Sequence, residues 1–381
     1  MRISQPNGLA AHRKQLLVRF WLSASQFWRQ EKARAIGLTV FLVGLLLLQL
    51  LVQLLLNLWN RNFFDALGRK DAHTLWVQAQ LFLPLAATSI FLAATSVWGR
   101  MTAQRSWREF LTRHVVAQWL EKNRFRHLNN LSKGSENPEY RIAVDIRIAT
   151  DAPIDFAMAL LSSVLTSTTF FTVLWTIGGS INFMLFGANI TIPGYLVFGV
   201  VIYSGVVSGL MVLFGRYLTG VSERLNQTEA EFRAVVDAFR EENAHAENAS
   251  QNDRRQTLQL KLQAVLLWWR EYCWQLVHTT LVSHGNSLFA PVVAWILCVP
   301  KYLSGAMSLG ELTQAAAAFV VVQGAFNWLV DNYQRFADWR SSAHRVATLL
   351  LALDELENKE RTEGLARNKS TDSIRAWAAR R

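Results

Sequence analysis

Few side chains in this sequence could bind a proton or hydrogen-bond a solute from inside an apolar setting. Asp331 is the one acidic residue in the stretch 312–332, and His284 lies within another apolar run, with His278 at its edge. A carboxyl or imidazole so placed exchanges its proton at a pH set by burial and neighbouring charge, which is the chemistry of proton coupling. Glu223, Glu229 and Glu231 follow the apolar run at 192–214 and offer the same chemistry at its edge, a solvated helix face being the competing reading. Uncharged amides recur as well. Gln323, Asn327, Asp331, Gln334 and Asp338 stand at four- and three-residue steps on one helical face, and Gln49, Gln53, Asn57 and Asn60 make a second stripe. In lipid such amides either bond between helices or line a cavity, and both readings remain open at this point. Lined by these amides with Phe326, Trp328 and Tyr333 nearby, a cavity would suit an amphipathic solute without selecting for charge.

Enzymatic motifs are missing from this inventory. There is no HExxH and no GxSxG, and the 8 histidines are scattered. Cys273 and Cys298 form neither a CxxC pair nor a disulfide framework. No metal site is expected.

The elements that must position these residues are membrane spans. Of the 381 residues, 51% are apolar, including 15 Trp and 22 Phe, a composition of a membrane protein. A span needs roughly 20 residues at about 1.5 Å rise to cross about 30 Å of hydrocarbon. Ile36–Leu56 meets this with no formal charge, and Ala79–Gly99, Ala157–Gly178, Ile192–Phe214, Thr279–Pro300 and Leu312–Asn332 follow, the last interrupted by polar residues. With no water to satisfy backbone groups in lipid, runs this apolar and unalternating must be helices. The first run starts too late and is too long for a cleaved signal, and reads as an anchor.

Lysine and arginine set the orientation. Residues 1–35, 100–156, 215–278 and 333–381 hold 35 of them, against 4 in 57–78, 179–191 and 301–311. That asymmetry places both termini in the cytoplasm. It also explains the net charge of +11 without nucleic acid as a partner.

Loop lengths are equally uneven. The connections on one side are 22, 13 and 11 residues long and those on the other 57 and 64. Both long ones carry apolar positions at helical spacing among charges, so the spans are expected to continue as long helices into the cytoplasm and turn back there. Before the first span, "LLVRFWLSASQFWRQEKARA" has the pattern of a helix lying on the inner membrane surface. The expected organisation is a cytoplasmic N-terminus with an interfacial helix at 1–35, a six-helix membrane domain at 36–348, and a charged cytoplasmic tail at 349–381. "NPEYRIAVDIR" is expected at the polar tip of the first inner hairpin, Asn137 and Pro138 starting a helix on which Arg141/Asp145 and Arg147/Asp151 are four residues apart.

Four segments carry a family resemblance. "NPEYRIAVDIR" resembles the Asn-Pro-Asp-Gln-Arg-Ile…Asp segment of the ABC half-transporters that include the peroxisomal fatty-acyl carriers and bacterial relatives associated with vitamin B12, bleomycin or antimicrobial peptides. "LNLWNRNFFDALGRKD" at 56–71 is similar to the segment following that family's first span. "EAEFRAVVDAFREENAHAENAS" at 229–250 resembles the Phe-Arg segment and glutamate motif of its second inner loop, and "LSGAMSLGELTQAAAAF" the entry to its last span. The SbmA/BacA peptide importers are similar to the same group. Two departures stand out: Glu139-Tyr140 replaces the family's Asp-Gln, and Arg240–Glu247 is more polar than the usual glutamate motif.

The resemblance implies an all-α, polytopic membrane protein: six transmembrane helices with long cytoplasmic extensions, the exporter-type ABC transmembrane domain, paired as a domain-swapped homodimer. Its implied function is that of a permease moving peptides, peptide-like antibiotics or cobalamin across a bacterial inner membrane. Asn137, Pro138, Glu139, Arg141, Asp145, Glu241, Glu242 and Glu247 would be the contacts to an ATPase domain. Gln49, Gln53, Asn57, Gln323, Asn327, Asp331 and Gln334 would line the substrate cavity. An ABC ATPase needs a GxxxxGK[ST] phosphate loop, and this chain has no Gly-Lys dipeptide, with 49 residues after Asn332. No cofactor is expected in the chain itself; ATP would act through a partner ATPase subunit or domain. The alternatives are a proton-driven importer like SbmA/BacA, using Asp331, His284, Glu223, Glu229 and Glu231, and a non-transporting membrane scaffold.

Overall fold

The computed structural model describes Ser23 and residues 25–126, 137–185, 188–242 and 251–378, without the side chains at 182–190, 240–242, 251, 329–331, 333, 334, 337 and 363–378. Seven long helices dominate: α1 Lys32–Gly68, α2 Ala72–Leu120, α3 Ile146–Gly178, α4 Tyr195–Glu242, α5 Gln251–Leu303, α6 Leu309–Asp331 and α7 Tyr333–Ala378. The first six contain the six segments long and apolar enough to cross a membrane. As the charge pattern demanded, α4 and α5 run on well past their apolar parts, to 48 and 53 residues. Pro84, Pro153 and Pro291 lie inside helices, which membrane helices tolerate when neighbouring groups take up the freed carbonyls.

One element escaped the sequence reading. Between α3 and α4 the strands β1 Ser180–Leu185 and β2 Ala188–Pro193 pair antiparallel, Ser180 opposite Pro193 and Leu185 opposite Ala188. Ile192, the expected start of the fourth span, therefore lies in β2, and the helix begins at Tyr195. Gly179 and Gly194 close the base of the hairpin, both at positive φ, with Gly194 N–H donating to Gly179 O at 2.7 Å. A Cβ on Gly194 would fall 2.3 Å from the Trp175 ring, so the turn requires glycine twice over.

The chain divides into two compact units, one formed by 1–52, 86–161 and 333–381, the other by 53–85 and 162–332. The first has a core of Trp107, Leu111 and Val115 from α2, Ile146 and Ala149 from α3, and Val346, Leu350 and Leu353 from α7. Each set recurs at three or four residues, so each helix turns one stripe inward. Phe27 joins this core with Trp28, whose ring meets Trp107 edge-on at 5.2 Å. The described end of the expected interfacial helix is thus packed in protein; its earlier part lies outside the described residues.

The C-terminal assignment also changes. A boundary at 348/349 falls inside α7, and Leu349, Leu350, Leu353 and Leu356 are buried. Their burial makes this stretch part of the first unit's core, whatever its overall charge. In the second unit α4 packs on α5 and α6. Ala290, Ala294 and Cys298 form a buried stripe on α5, and Ala315, Ala318 and Phe319 one on α6. Small residues let backbones approach where lipid gives no hydrophobic drive; a Cβ on Gly199 of α4 would meet Leu297 of α5 at 2.7 Å.

Candidate functional site

The amides of α1 do not share one fate. Gln49 donates to Leu92 O at 3.1 Å, closing α1 onto α2. Asn57 is buried and bonds Gln314 of α6 in both directions, Nδ2 to Gln314 O at 3.1 Å and Gln314 Nε2 to Asn57 Oδ1 at 3.0 Å. Both residues thus make bonds between helices. Gln53 is half-buried. On α6, Gln323 is only 3% exposed and its Nε2 has no partner, and the half-buried Asn327 leaves Oδ1 unbonded. Asn332 stands between α6 and α7, its Nδ2 donating back to Trp328 O at 2.9 Å, and Gln334 and Asp338 belong to α7. The side chains of Asp331 and Gln334 lie outside the described ones.

Two of the segments that carried the resemblance meet in the second unit. Arg61 Nη2 reaches Glu311 Oε1 at 2.8 Å. Asp65 Oδ1 accepts the Gly310 N–H at 2.8 Å, while Ser308 and Glu311 cap the start of α6 reciprocally at 3.0 and 3.1 Å, a capping box. A Cβ on Gly310 would sit 2.1 Å from Arg61 O. With Asn57 and Gln314 paired one turn beyond Arg61 and Glu311 on their helices, the start of α6 is latched to the end of α1. Gln314 and this latch were not singled out in the sequence; the Ser-x-x-Glu spacing was the available signal. Just beyond, Asp71 caps α2 through Thr74 N at 3.2 Å and Thr74 Oγ1 at 2.6 Å, bonds that hold its carboxyl below the usual range.

The third segment begins at Asn137, in the left-handed region at φ 55°, followed by Pro138 at the first helical position. Arg141–Asp145 is wound as a π-helix, a form found mostly as short bulges at functional sites. The segment is not simply a polar tip in water. Glu139 and Tyr140 are exposed, but Pro138, Arg141 and Asp145 are buried. Asp145 is fully buried and receives Arg345 of α7 through two bonds, Nε at 2.8 Å and Nη2 at 2.6 Å. Arg345 is steadied by Ser341 Oγ at 2.6 Å and Ser342 Oγ at 2.9 Å. The acceptor expected to pair along its own helix is thus bound 200 residues away, a contact that spacing cannot reveal. Asp145 positions the segment from inside; the side chains offered outward are Asn137, Glu139, Tyr140 and Arg147.

A second pair ties α7 to the end of α2. Arg124, 2% exposed, gives Nε and Nη2 to the two oxygens of Glu360 at 3.0 and 2.9 Å, and Nη1 to Glu121 at 3.2 Å. The Arg124 hydrogen bonds hold the Glu360 carboxyl below the ordinary range. Of the candidate proton groups, Glu231 is paired with Lys261 at 2.9 Å, joining α4 to α5. Glu223 and His284 are exposed and Glu229 half-buried. Glu241 and Glu242 end α4, their side chains outside the described ones, and Glu247 lies outside the described residues altogether.

Comparison with known proteins agrees with this architecture. The chain is 25% identical over 340 residues to the inner membrane ABC transporter ATP-binding protein YddA of Escherichia coli, covering 85% of this chain and 59% of that protein. It is 26% identical over 363 residues to an uncharacterized ABC transporter ATP-binding protein of Synechocystis, covering 92% and 52%. To the chloroplastic ABC transporter D family member 2 of Arabidopsis thaliana it is 22% identical over 347 residues, covering 88% and 46%. The chain thus spans about half the length of these relatives. The profile of the ABC transporter transmembrane region 2 family matches residues 25–303. With that match over most of its length and six helices able to span a bilayer, the chain belongs to this family and is a multi-pass membrane component of an ABC transporter.

Proposed function

We propose that this chain forms, as a homodimer in the bacterial inner membrane, the permease for peptides or peptide-like antibiotics, with cobalamin as the other candidate solute. Its energy comes from an ABC ATPase domain, carried on a separate chain or on a continuation of this one. The observation that carries the reading is the length of α4 and α5. From Phe214 to Glu242 and from Gln251 to Thr279 each continues for 28 residues beyond its apolar part, or about 40 Å at helical rise. Paired helices of that reach serve to connect a membrane pathway with a soluble motor. Names of the relatives as ATP-binding proteins support the same coupling, with Asn137, Glu139 and the region of Glu241, Glu242 and Glu247 as contacts. The unbonded amides of Gln323 and Asn327 support an amphipathic solute rather than a plain ion.

The test is uptake of a fluorescent proline-rich or bleomycin-like peptide into proteoliposomes holding this chain, with ATP and its ATPase domain or with an imposed pH gradient alone. Uptake that requires ATP hydrolysis is the expected result. Uptake by the chain alone that follows the pH gradient would replace this reading with the proton-driven one, and point to Asp331, His284 and Glu223. Silence under both conditions would leave the scaffold reading.

A further inference from the structure

The groove between α4 and α5 contains a cavity of about 780 Å³ that the amides and the α7 contacts leave unexplained. Arg216 and Arg224 line it from α4 and Arg270 from α5, beside Tyr217 and Trp268, with Glu271 as the one acidic side chain. The Arg224 guanidinium lies 5.1 Å over the Trp268 ring, and Glu271 accepts from Gln275 Nε2 at 3.3 Å. Among the described residues none of the three arginines forms a salt bridge; beyond the groove, Glu231 and Lys261 pair between the same two helices. Three guanidinium groups and one carboxylate line the cavity, so its lining is net positive and favours an anionic ligand.

Its place along the helices identifies the anion. Arg216 stands two residues past Phe214, where the apolar run of α4 ends, and Arg270 nine residues before Thr279, where that of α5 begins. Large apolar side chains lead away from it exposed on both helices, Leu210 and Leu213 on one, Val277 and Leu281 on the other. Exposed Trp269 and Trp274 stand alongside, as aromatic residues do at the boundary of hydrocarbon and water. Cations from about half a turn to nearly three turns beyond the apolar runs, with bare apolar surface leading into them, match a phosphate headgroup and its acyl chains. A soluble anion would make no use of that surface. Space for the headgroup is provided at Gly220, midway between Arg216 and Arg224 on the same face of α4, where an added Cβ would meet nothing within 4 Å.

We propose that this groove binds an anionic phospholipid, its phosphate held by Arg216, Arg224 and Arg270 and its glycerol against Trp268 and Tyr217. The site is separate from the solute pathway proposed above.

Native mass spectrometry of the full-length protein in detergent tests it, titrating phosphatidylglycerol, phosphatidylcholine and soluble glycerol phosphate. Phosphatidylglycerol should bind the more tightly of the two lipids, and Arg216→Gln and Arg270→Gln should each weaken it about five- to tenfold. Gly220→Leu should weaken it comparably without altering charge; the open space and the better helix propensity of leucine keep this variant folded. Equal binding of both lipids, or binding indifferent to Arg216→Gln and Gly220→Leu, would overturn the proposal. Displacement of the lipid by equimolar glycerol phosphate would overturn it in favour of a soluble anion, and loss of dimer mass in Gly220→Leu in favour of a second copy of the chain as the occupant.

Discussion

Replacing Arg345 by methionine should release α7 from the segment at 137–151. Asp145 is fully buried and both its oxygens are taken by Arg345, so the substitution leaves a carboxylate out of water without the two charged donors that hold it. Stripping one partner from a buried pair costs about 3–5 kcal/mol. Here Arg345 is itself 41% exposed, so part of the attraction is already screened and about 2–3 kcal/mol is the better figure. Amide hydrogen exchange along 341–356 reads this as local opening, and should accelerate about 30- to 150-fold. The order of the variants is the sharper expectation. Asp145→Asn should cost less than Arg345→Met, because the arginine left behind can turn to water whereas the aspartate cannot. Adding Asp145→Asn to Arg345→Met should restore protection. If exchange in Arg345→Met matched the unaltered protein, or if the double variant were the least protected, the buried pair would not be what holds α7.

Three other expectations follow from the same contacts. The pairing of Glu360 with Arg124 lowers the folded carboxyl below its ordinary value of 4.5, so its stabilisation is complete above that value and is lost as pH falls through the lowered one; exchange at 350–362 should rise in acid, and Glu360→Gln should remove that rise. Gly310→Ala should destabilise the start of α6 by about 1–3 kcal/mol, since its Cβ would lie 2.1 Å from Arg61 O, and thermal unfolding in detergent would show it; an unchanged midpoint would refute the latch. Asn57→Leu should lower the unfolding temperature through an interhelical bond worth about 1 kcal/mol, while Asn327→Leu, whose Oδ1 is unbonded, should leave it nearly unchanged and alter uptake instead; unaltered uptake would make the α6 amides packing alone.

Sequence by itself determined the spans, because a run of twenty apolar residues has no stable place but lipid or a core and no satisfied form in lipid but a helix. Charge asymmetry and loop length gave the long extensions of α4 and α5 in the same way, each following from local composition. The hairpin at 180–193 was lost inside an expected loop, since two six-residue strands with a two-residue connection make little impression beside the neighbouring apolar runs. Partner choice was the part that only tertiary structure decided. Asn57 could equally have faced a cavity, and it is Gln314, brought to it by the Asp65–Gly310 latch, that consumes its hydrogen bonds. Asp145 had an arginine four residues away on its own segment, yet Arg345 reaches it because the apolar stripe Val346, Leu350 and Leu353 buries α7 against α2 and α3. Spacing along one helix limits which side chains can meet, but burial driven by distant apolar residues selects among them. The groove of Arg216, Arg224 and Arg270 shows the same division: each arginine was visible in the sequence as part of a basic loop, and only the packing of α4 on α5 gathers them around one cavity.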